Sequence, residues 1–222
     1  DLGGTAIIRG DGFAGGSVTA TALEGKAVSN VAEPPVSWPG IFISDLVWTY
    51  YISGNSYSAK SVASGVHSTG TVGSTMGNPA AVRYRSGDLE LAGDVVINGT
   101  LVVDGDLRVT GATNTIDPMK NFPAVVVSGN LILATDGRLE IKGLAQIQGG
   151  VIFEGGADNA HLDVEGALFI GSGDIDGLSS DTCSVTVTAD LTMAAIEIWS
   201  SDGSRRIWSP AGGAFYRALR RY

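Results

Sequence analysis

The most regular hydrophobic pattern in the chain runs through residues 87–111, GDLELAGDVVINGTLVVDGDLRVTG. Glycine occupies every sixth position, and between consecutive glycines two aliphatic residues stand two positions apart, as Leu89 and Leu91 do. A spacing of two places both side chains on one face of a β-strand, whereas an amphipathic helix needs apolar residues three and four positions apart. Each unit is therefore predicted to be a short strand followed by a corner, where glycine permits tight turning and close stacking.

Repetition of one short unit is typical of a β-solenoid, in which a repeat buries its apolar face only when neighbouring repeats stack on it. Antiparallel hairpins are the alternative, because Asn98-Gly99 and Asp104-Gly105 are typical hairpin turns. The unbroken phase of the glycines favours the solenoid. We predict an all-β fold, namely a single-stranded, right-handed, three-sided β-solenoid (β-helix) with short helical or aromatic caps at the ends.

The pattern resumes after residues 112–124, which contain two prolines and are predicted to form a loop. Three six-residue sides would give a coil of about 18 residues, with roughly five coils over residues 87–177 and all three outer faces in solvent. The predicted interior is a column of aliphatic side chains, with one phenylalanine: Leu89, Leu91, Val95, Ile97, Leu101, Val103, Leu107, Val109, Val125, Val127, Leu131, Leu133, Leu139, Ile141, Ile147, Val151, Phe153, Leu162, Val164, Leu168 and Ile170.

The chain divides into four predicted segments. Residues 1–34 are strand-rich and could supply the first coils, 35–86 form an aromatic and proline-rich cap and loop region, 87–200 form the solenoid core with loops near 112–124 and 156–160, and 201–222 form a basic aromatic tail or cap helix. Short helices are predicted within 41–59, where Ile43, Leu46, Val47 and Tyr50 share a helical face, and within 189–199 and 212–222. The aromatic residues of 41–59 are expected to cover an open end of the solenoid, where unpaired strand edges invite aggregation.

Composition limits the classes of function. The formal net charge is −9, and because residues 205–222 hold five arginines and no acid, the rest of the chain carries −14. An acidic body argues against nucleic acid as a partner. The single cysteine excludes an intrachain disulfide and a cysteine-based metal site. No run of 18 apolar residues exists that could span a membrane, and the start at Asp1, without methionine, suggests a processed or trimmed N-terminus.

Candidate chemistry is sparse. His67 and His161 are the only histidines, and His161 could act as an acyltransferase-type base, although a surface histidine is the simpler interpretation. Asp88, Asp94 and Asp106 follow corner glycines, where their carboxylates are expected to accept hydrogen bonds from turn amides. Calcium binding by such a series is the alternative, but the nine-residue calcium repeat is absent from the sequence. We predict no catalytic residue, no cofactor and no metal site.

Several stretches resemble one bacterial family. The segment GTLVVDGDLRVTGATNTIDPMKNFPAVVVSGNLIL, followed by GLAQIQGGVIFEGG, VEGALFIG and VTVTADLTMAAIEIW, is similar to the repeat region of PilX-type pilus-assembly proteins, and DLVWTYYIS has a counterpart ahead of their repeats. The resemblance covers roughly residues 35–200. Bactofilins share the glycine rhythm without the long flanks. The resemblance implies an extracytoplasmic protein, at the cell surface or in the periplasm, that belongs to a type IV filament system and is tethered by an N-terminal hydrophobic helix that this sequence lacks.

The tail contains the candidate subunit contacts. Aromatic and arginine residues are enriched at the hot spots of protein interfaces. A basic tail would also complement the acidic body of a neighbouring subunit. The candidates are Trp208, Phe215, Tyr216, Arg217, Leu219, Arg220, Arg221 and Tyr222. The predicted function is a non-catalytic assembly component of a bacterial surface filament that self-associates or packs with other pilus subunits. The alternatives are a phage or cell-surface fibre that binds glycans by stacking sugars on Trp38, Trp48 and Trp208, and a β-helix enzyme active on polysaccharide or in acyl transfer.

Overall fold

Short strands separated by glycine corners wind into stacked parallel coils, so the predicted β-solenoid is confirmed. The computed structural model describes residues 7–9, 12–13, 22–23, 27–28, 41–47, 49–172, 175–178, 182–188, 190, 194–199 and 205–208. The coils make about five turns. All strand pairs of the described residues are parallel except two. Tyr50–Ile52 pairs antiparallel with Asn55–Tyr57, and Ile196–Trp199 pairs antiparallel with Arg205–Trp208.

Among the described residues one helix, α1 (Ile43–Val47), accompanies the strands. In chain order the strands are β1 (Ile7–Arg9), β2 (Gly12–Phe13), β3 (Ala22–Leu23), β4 (Ala27–Val28), β5 (Tyr50–Ile52), β6 (Asn55–Tyr57), β7 (Lys60–Ser61), β8 (Val66–His67), β9 (Gly70–Val72), β10 (Arg83–Ser86), β11 (Leu89–Leu91), β12 (Val95–Ile97), β13 (Leu101–Asp104), β14 (Leu107–Val109), β15 (Asn114–Ile116), β16 (Val125–Val127), β17 (Leu131–Leu133), β18 (Arg138–Ile147), β19 (Val151–Phe153), β20 (His161–Ile170), β21 (Ile175–Asp176), β22 (Ser184–Thr188), β23 (Ile196–Trp199) and β24 (Arg205–Trp208).

The strands form three faces. The first face contains β7, β10, β13, β16 and the second halves of β18 and β20. The second face contains β8, β11, β14, β17, β19 and β21. The third face contains β9, β12, β15, the first halves of β18 and β20, and then β22, β1 and β3. The long strands β18 and β20 each pass from the third face to the first around a glycine, Gly143 and Gly166, and the two glycines are in register.

The interior column is the one that the alternation predicts. Every predicted interior side chain belongs to a single hydrophobic cluster or packs against it, and of the predicted set only Leu168 and Ile170 are partly rather than fully buried. Equivalent positions stack in register: Leu89 pairs with Leu107, 18 residues later, and Leu107 pairs with Leu131, 24 residues later, because the second coil contains a loop. Coil length therefore varies while the vertical register is kept.

Most corner glycines are required by close stacking rather than by an unusual backbone angle. Among the five glycines of residues 87–111, only Gly87 has a positive φ, of 89°. At Gly105, in contrast, an added Cβ would lie 2.6 Å from the carbonyl carbon of Gly87 in the coil below. The corner thus leaves no room for a side chain between successive coils.

The predicted loop at residues 112–124 is shorter than expected. Residues Asn114–Ile116 form β15, which pairs with β12 and β18 and supplies a full side of the coil. Asn114 lies in the column between Val95 and Leu139, where its Nδ2 donates to the carbonyl oxygens of Gly111 at 2.8 Å and Arg138 at 3.1 Å. These bonds allow a polar residue to take an interior position that the aliphatic pattern could not reveal.

The stack also begins before the predicted start at residue 87. Strands β7, β8 and β9 form a first coil within the segment predicted as cap and loop, and each pairs with the strand above it. The N-terminal strands β1 and β3, predicted as candidates for the first coils, instead extend the third face beyond β22 at the other end. The first coil has few aliphatic residues, which is why its sequence lacks the regular pattern.

The aromatic segment covers a side of the solenoid and not its end. Helix α1 and strands β5 and β23 pack on the outside of the first face in a second hydrophobic cluster. Its fully buried members are Ile41, Leu46, Tyr50, Ala80, Val82, Val102, Phe122, Val126, Leu144, Ile196 and Ile198. The Tyr50 ring meets the Phe122 ring edge to face at 5.5 Å, and Gln146 Nε2 donates to the Ile41 carbonyl oxygen at 3.0 Å. The expectation of three solvent-exposed faces was therefore wrong.

Two of the three predicted helices differ in the structure. In 41–59 only Ile43–Val47 are helical, and Tyr50 lies in the β5–β6 hairpin. In 189–199, residues Ile196–Trp199 form strand β23, whose Ile196 and Ile198 are buried against the first face. The spacing of two between these isoleucines is a strand signal that outweighs the helix propensity of the preceding alanines. The third predicted helix, 212–222, lies outside the described residues.

Candidate functional site

The predicted tail contacts lie at the boundary of the described chain. Trp208 is the last residue of β24, which pairs antiparallel with β23, so Trp208 stands opposite Ile196. Phe215, Tyr216, Arg217, Leu219, Arg220, Arg221 and Tyr222 lie outside the described residues. Trp38 and Trp48, the other predicted sugar-stacking residues, also lie outside them. The tail therefore stays a prediction.

The first coil presents an open strand edge on all three faces. Within the described part of the chain, β7, β8 and β9 are each the last strand of their face at this end, with no further strand on their outer side. Val66 in β8 is 49% exposed, although it is apolar. An unpaired edge with exposed apolar surface can accept a strand from another chain. The sequence predicts a cap and loop region for this segment, so the open strand edge was not predicted.

His67 lies at this open end and points into the column. It pairs in register with Leu91, an interior position, and it lines a cavity of about 260 Å³ at the level of the first coil. Arg83, which pairs in register with the interior Leu101, lines the same cavity. The sequence predicts that His67 lies in a polar loop. The strand around it is only two residues long, too short to produce an alternating pattern.

His161 takes part in a directional network of hydrogen bonds between coils. Its Nδ1 lies 2.8 Å from Ser184 Oγ and its Nε2 lies 3.1 Å from Asn159 Oδ1, while Asn159 Nδ2 donates to Asp136 Oδ1 at 2.9 Å. Since the amide oxygen of Asn159 can only accept, Nε2 is the donor in that contact. The same residues connect successive coils, so we interpret the network as part of the stacking. Ser184 and Asn159 were not predicted.

Two of the three predicted corner aspartates, Asp88 and Asp106, accept hydrogen bonds from corner amides as expected, and they form a ladder between coils. Asp88 Oδ1 accepts from the amide of Asp106 at 2.9 Å, and Asp106 Oδ1 accepts from the amide of Asn130 at 2.7 Å. Asn130 Oδ1 then accepts from the amide of Gly150 at 2.9 Å. Each side chain thus binds the corner of the next coil and not its own turn. Asp94 is exposed and lies at a different corner.

The outer surface of the second face carries a small charge cluster. Arg108 Nε donates to Glu154 at 2.7 Å, and Arg108 Nη1 lies 3.2 Å from Glu90. The hydrogen bond from Arg108 lowers the pKa of the Glu154 carboxyl below its ordinary value of 4.5, against the opposing effect of desolvation. The bond to Glu154 likewise raises the pKa of the Arg108 guanidinium. The cluster links three coils by charge pairing.

Outside these clusters, the described residues contain a buried thiol but no group of side chains that could bind a metal ion. Among them, no three histidine, cysteine, aspartate or glutamate side chains are grouped so that they could hold a metal ion. Cys183 is a buried free thiol whose Sγ lies 3.4 Å from the Ala157 carbonyl oxygen. In this part of the chain no helix is long and apolar enough to traverse a lipid bilayer.

No protein-family model matches the chain, and neither the curated proteins nor the solved structures contain a match to it.

Proposed function

We propose that this chain is a non-catalytic structural component of a bacterial surface filament, of the type IV pilus-like class, in which rigid β-solenoids pack against neighbouring subunits. The observation that carries the proposal is the open edge of the first coil, where three strands end their faces together. The resemblance of the repeats to PilX-type pilus-assembly proteins supports the filament class and an extracytoplasmic location.

The solenoid is suited to a mechanical role. Its parallel strands repeat the same backbone pairing along one axis, and its column of buried aliphatic side chains is continuous through the coils. Strand pairing joins each coil to the coils directly before and after it, so the molecule behaves as a stack whose ends are the natural places for further stacking. The basic tail would add charge attraction to an acidic neighbour.

The edge contact is tested by placing a charge on it. Val66→Lys puts a lysine on the edge strand β8, and charged residues on edge strands oppose strand pairing between chains. The matched control is Val96→Lys, a half-buried valine on the outer surface of the interior strand β12. Light scattering over a concentration series should show that Val66→Lys reduces self-association and that Val96→Lys leaves it unchanged. Equal behaviour of the two variants contradicts an edge contact.

The tail contact needs a separate truncation. Removing residues 209–222 leaves β24 paired with β23, whereas removal from residue 205 would also delete β24. The shortened chain should keep the circular dichroism spectrum of the intact protein and lose association that depends on salt concentration. An unchanged particle mass by light scattering would remove the tail from the assembly proposal.

A further inference from the structure

The column of the solenoid is incompletely filled at the first coil. The cavity of about 260 Å³ is closed on the side of the second coil by Leu89, Leu91, Ile97 and Leu101 and is bordered at the level of the first coil by Val62, His67 and Val72. In the second coil the positions in register with His67 and Val72 hold Leu91 and Ile97, which are buried. The first coil therefore leaves an apolar chamber at the open end.

Two polar atoms are buried at this chamber without a hydrogen bond to any described residue. They are His67 Nε2 and Arg83 Nε, and both residues line the cavity. Both stand in register with interior leucines, His67 with Leu91 and Arg83 with Leu101. A buried donor left unsatisfied destabilises a protein by about 1 to 3 kcal/mol, and by more for a charged group, so such atoms usually have a partner.

We propose that this chamber binds a small monocarboxylic acid with a compact aliphatic body. A carboxylate is the anion whose two oxygens match the planar fork of arginine, and one of them accepts from Arg83 Nε. His67 Nε2, when it carries a proton, donates to the carboxylate as well. The leucine and isoleucine side chains of the second coil would surround the aliphatic part of the acid.

The size and lining of the cavity favour an organic acid over an inorganic anion. An apolar cavity of about 150 Å³ is large enough to hold benzene, so a cavity of 260 Å³ accepts a carboxylic acid of six or so carbon atoms. A chloride or phosphate would satisfy Arg83 but would leave the aliphatic walls in contact with water. Burial of those walls supplies the additional affinity that distinguishes the longer acid.

The chain contains two histidines, which makes nuclear magnetic resonance of the imidazoles a direct test. Histidine-labelled protein is titrated with hexanoate, with acetate and hexanol as partial ligands and phosphate as an inorganic anion. Hexanoate should shift the His67 resonances at lower concentration than the other three, and the His161 resonances should stay in place. Resonances are assigned with His161→Gln.

Variants test the two halves of the site. Arg83→Met removes the charged fork and should weaken hexanoate binding by about tenfold or more, whereas Arg108→Met, which removes an arginine of the outer surface, should have no effect. Val72→Phe fills the chamber while keeping Arg83, and should abolish binding in a chain whose thermal unfolding is unchanged. This second variant keeps the test informative if Arg83→Met alters folding.

Four results would overturn the proposal. These are equal shifts with hexanol and hexanoate, shifts with phosphate that match those with hexanoate, unchanged binding in Arg83→Met and Val72→Phe, and no His67 shift at millimolar hexanoate. The titrations use the Val66→Lys background, in which the edge contact of the filament proposal is blocked and a neighbouring copy does not occupy the chamber. Failure of hexanoate binding and failure of edge association are then read separately.

Discussion

The carboxylate of Asp88 accepts a hydrogen bond of 2.9 Å from the backbone amide of Asp106, which lies one coil further along the stack. Asp106 repeats the contact with Asn130, so an aspartate in one coil fixes the corner of the next. Charge-assisted hydrogen bonds of this kind are about twice as strong as neutral ones. The series therefore adds stability at a corner where the glycines supply no side chain.

Replacing Asp106 tests this ladder. Asp106→Ala removes the acceptor for the amide and side-chain nitrogens of Asn130 and should lower the free energy of unfolding by about 1 to 3 kcal/mol. Asp106→Asn keeps an oxygen acceptor and should lower it less. Asp94→Ala removes the same charge from an exposed corner and serves as the control. Urea unfolding measures all three, and equal losses for Asp94→Ala and Asp106→Ala would contradict the ladder.

The corner glycines give a second prediction. Gly105→Ala places a methyl group 2.6 Å from the Gly87 carbonyl carbon and 2.7 Å from the Asp88 amide nitrogen, and backbone atoms cannot move aside as a flexible side chain can. Overpacking of this kind costs about 1 to 3 kcal/mol. Gly73→Ala is the control, because nothing lies within 4 Å of its added Cβ and its φ is not positive. Thermal unfolding should show a loss for Gly105→Ala alone.

The repeat region was predictable because one local rule, glycine corners with aliphatic residues two apart, applies to most sides of the coils in residues 87–170. The exceptions are places where tertiary contacts replace that rule. Asn114 occupies an interior position because two carbonyl oxygens accept its amide hydrogens, and no periodicity marks such a residue. Val102 and Val126 look like outward positions that could face water, but α1 and β23 cover them. Which face a flanking segment covers depends on contacts between residues distant in sequence.

The candidate site was harder to predict for a related reason. His67 lies in a sequence of serine, threonine and glycine that predicts a loop, and only the pairing of β8 with β11 shows that its side chain faces the column. The burial of Arg83 Nε without a described hydrogen-bond partner could not be predicted either, since an arginine in RYRS is expected on a surface. Both features arise because the first coil has too few aliphatic residues to fill its own interior.

The covered first face leads to a third prediction. Leu46 of α1 is fully buried against the outer surface of the solenoid, whereas Phe42 beside the helix is 51% exposed. Leu46→Ala should lower the free energy of unfolding by about 2 to 5 kcal/mol, because it leaves a cavity between α1 and the sheet. Phe42→Ala should lower it by less than half as much. If the two losses are equal, α1 does not pack on the face as described.

The pair formed by Arg108 and Glu154 gives a prediction about pH. Because the folded state lowers the pKa of Glu154 below 4.5, the stabilisation is present above that pH and disappears as the pH falls through the lowered pKa. The side chains are more than a third exposed, at 38% and 39%, so solvent screening limits the effect to about 1 kcal/mol or less. Glu154→Gln should therefore lower the unfolding free energy slightly at pH 7 and leave it unchanged at a pH well below the lowered pKa, where the wild-type carboxyl is also neutral.

Glu140→Gln is the control, because its partner Lys142 lies at the longer distance of 3.7 Å, and it should lower the unfolding free energy by less at pH 7. Urea unfolding at the two pH values measures both variants, and a Glu154→Gln loss that persists at low pH would mean that packing, and not charge, accounts for it.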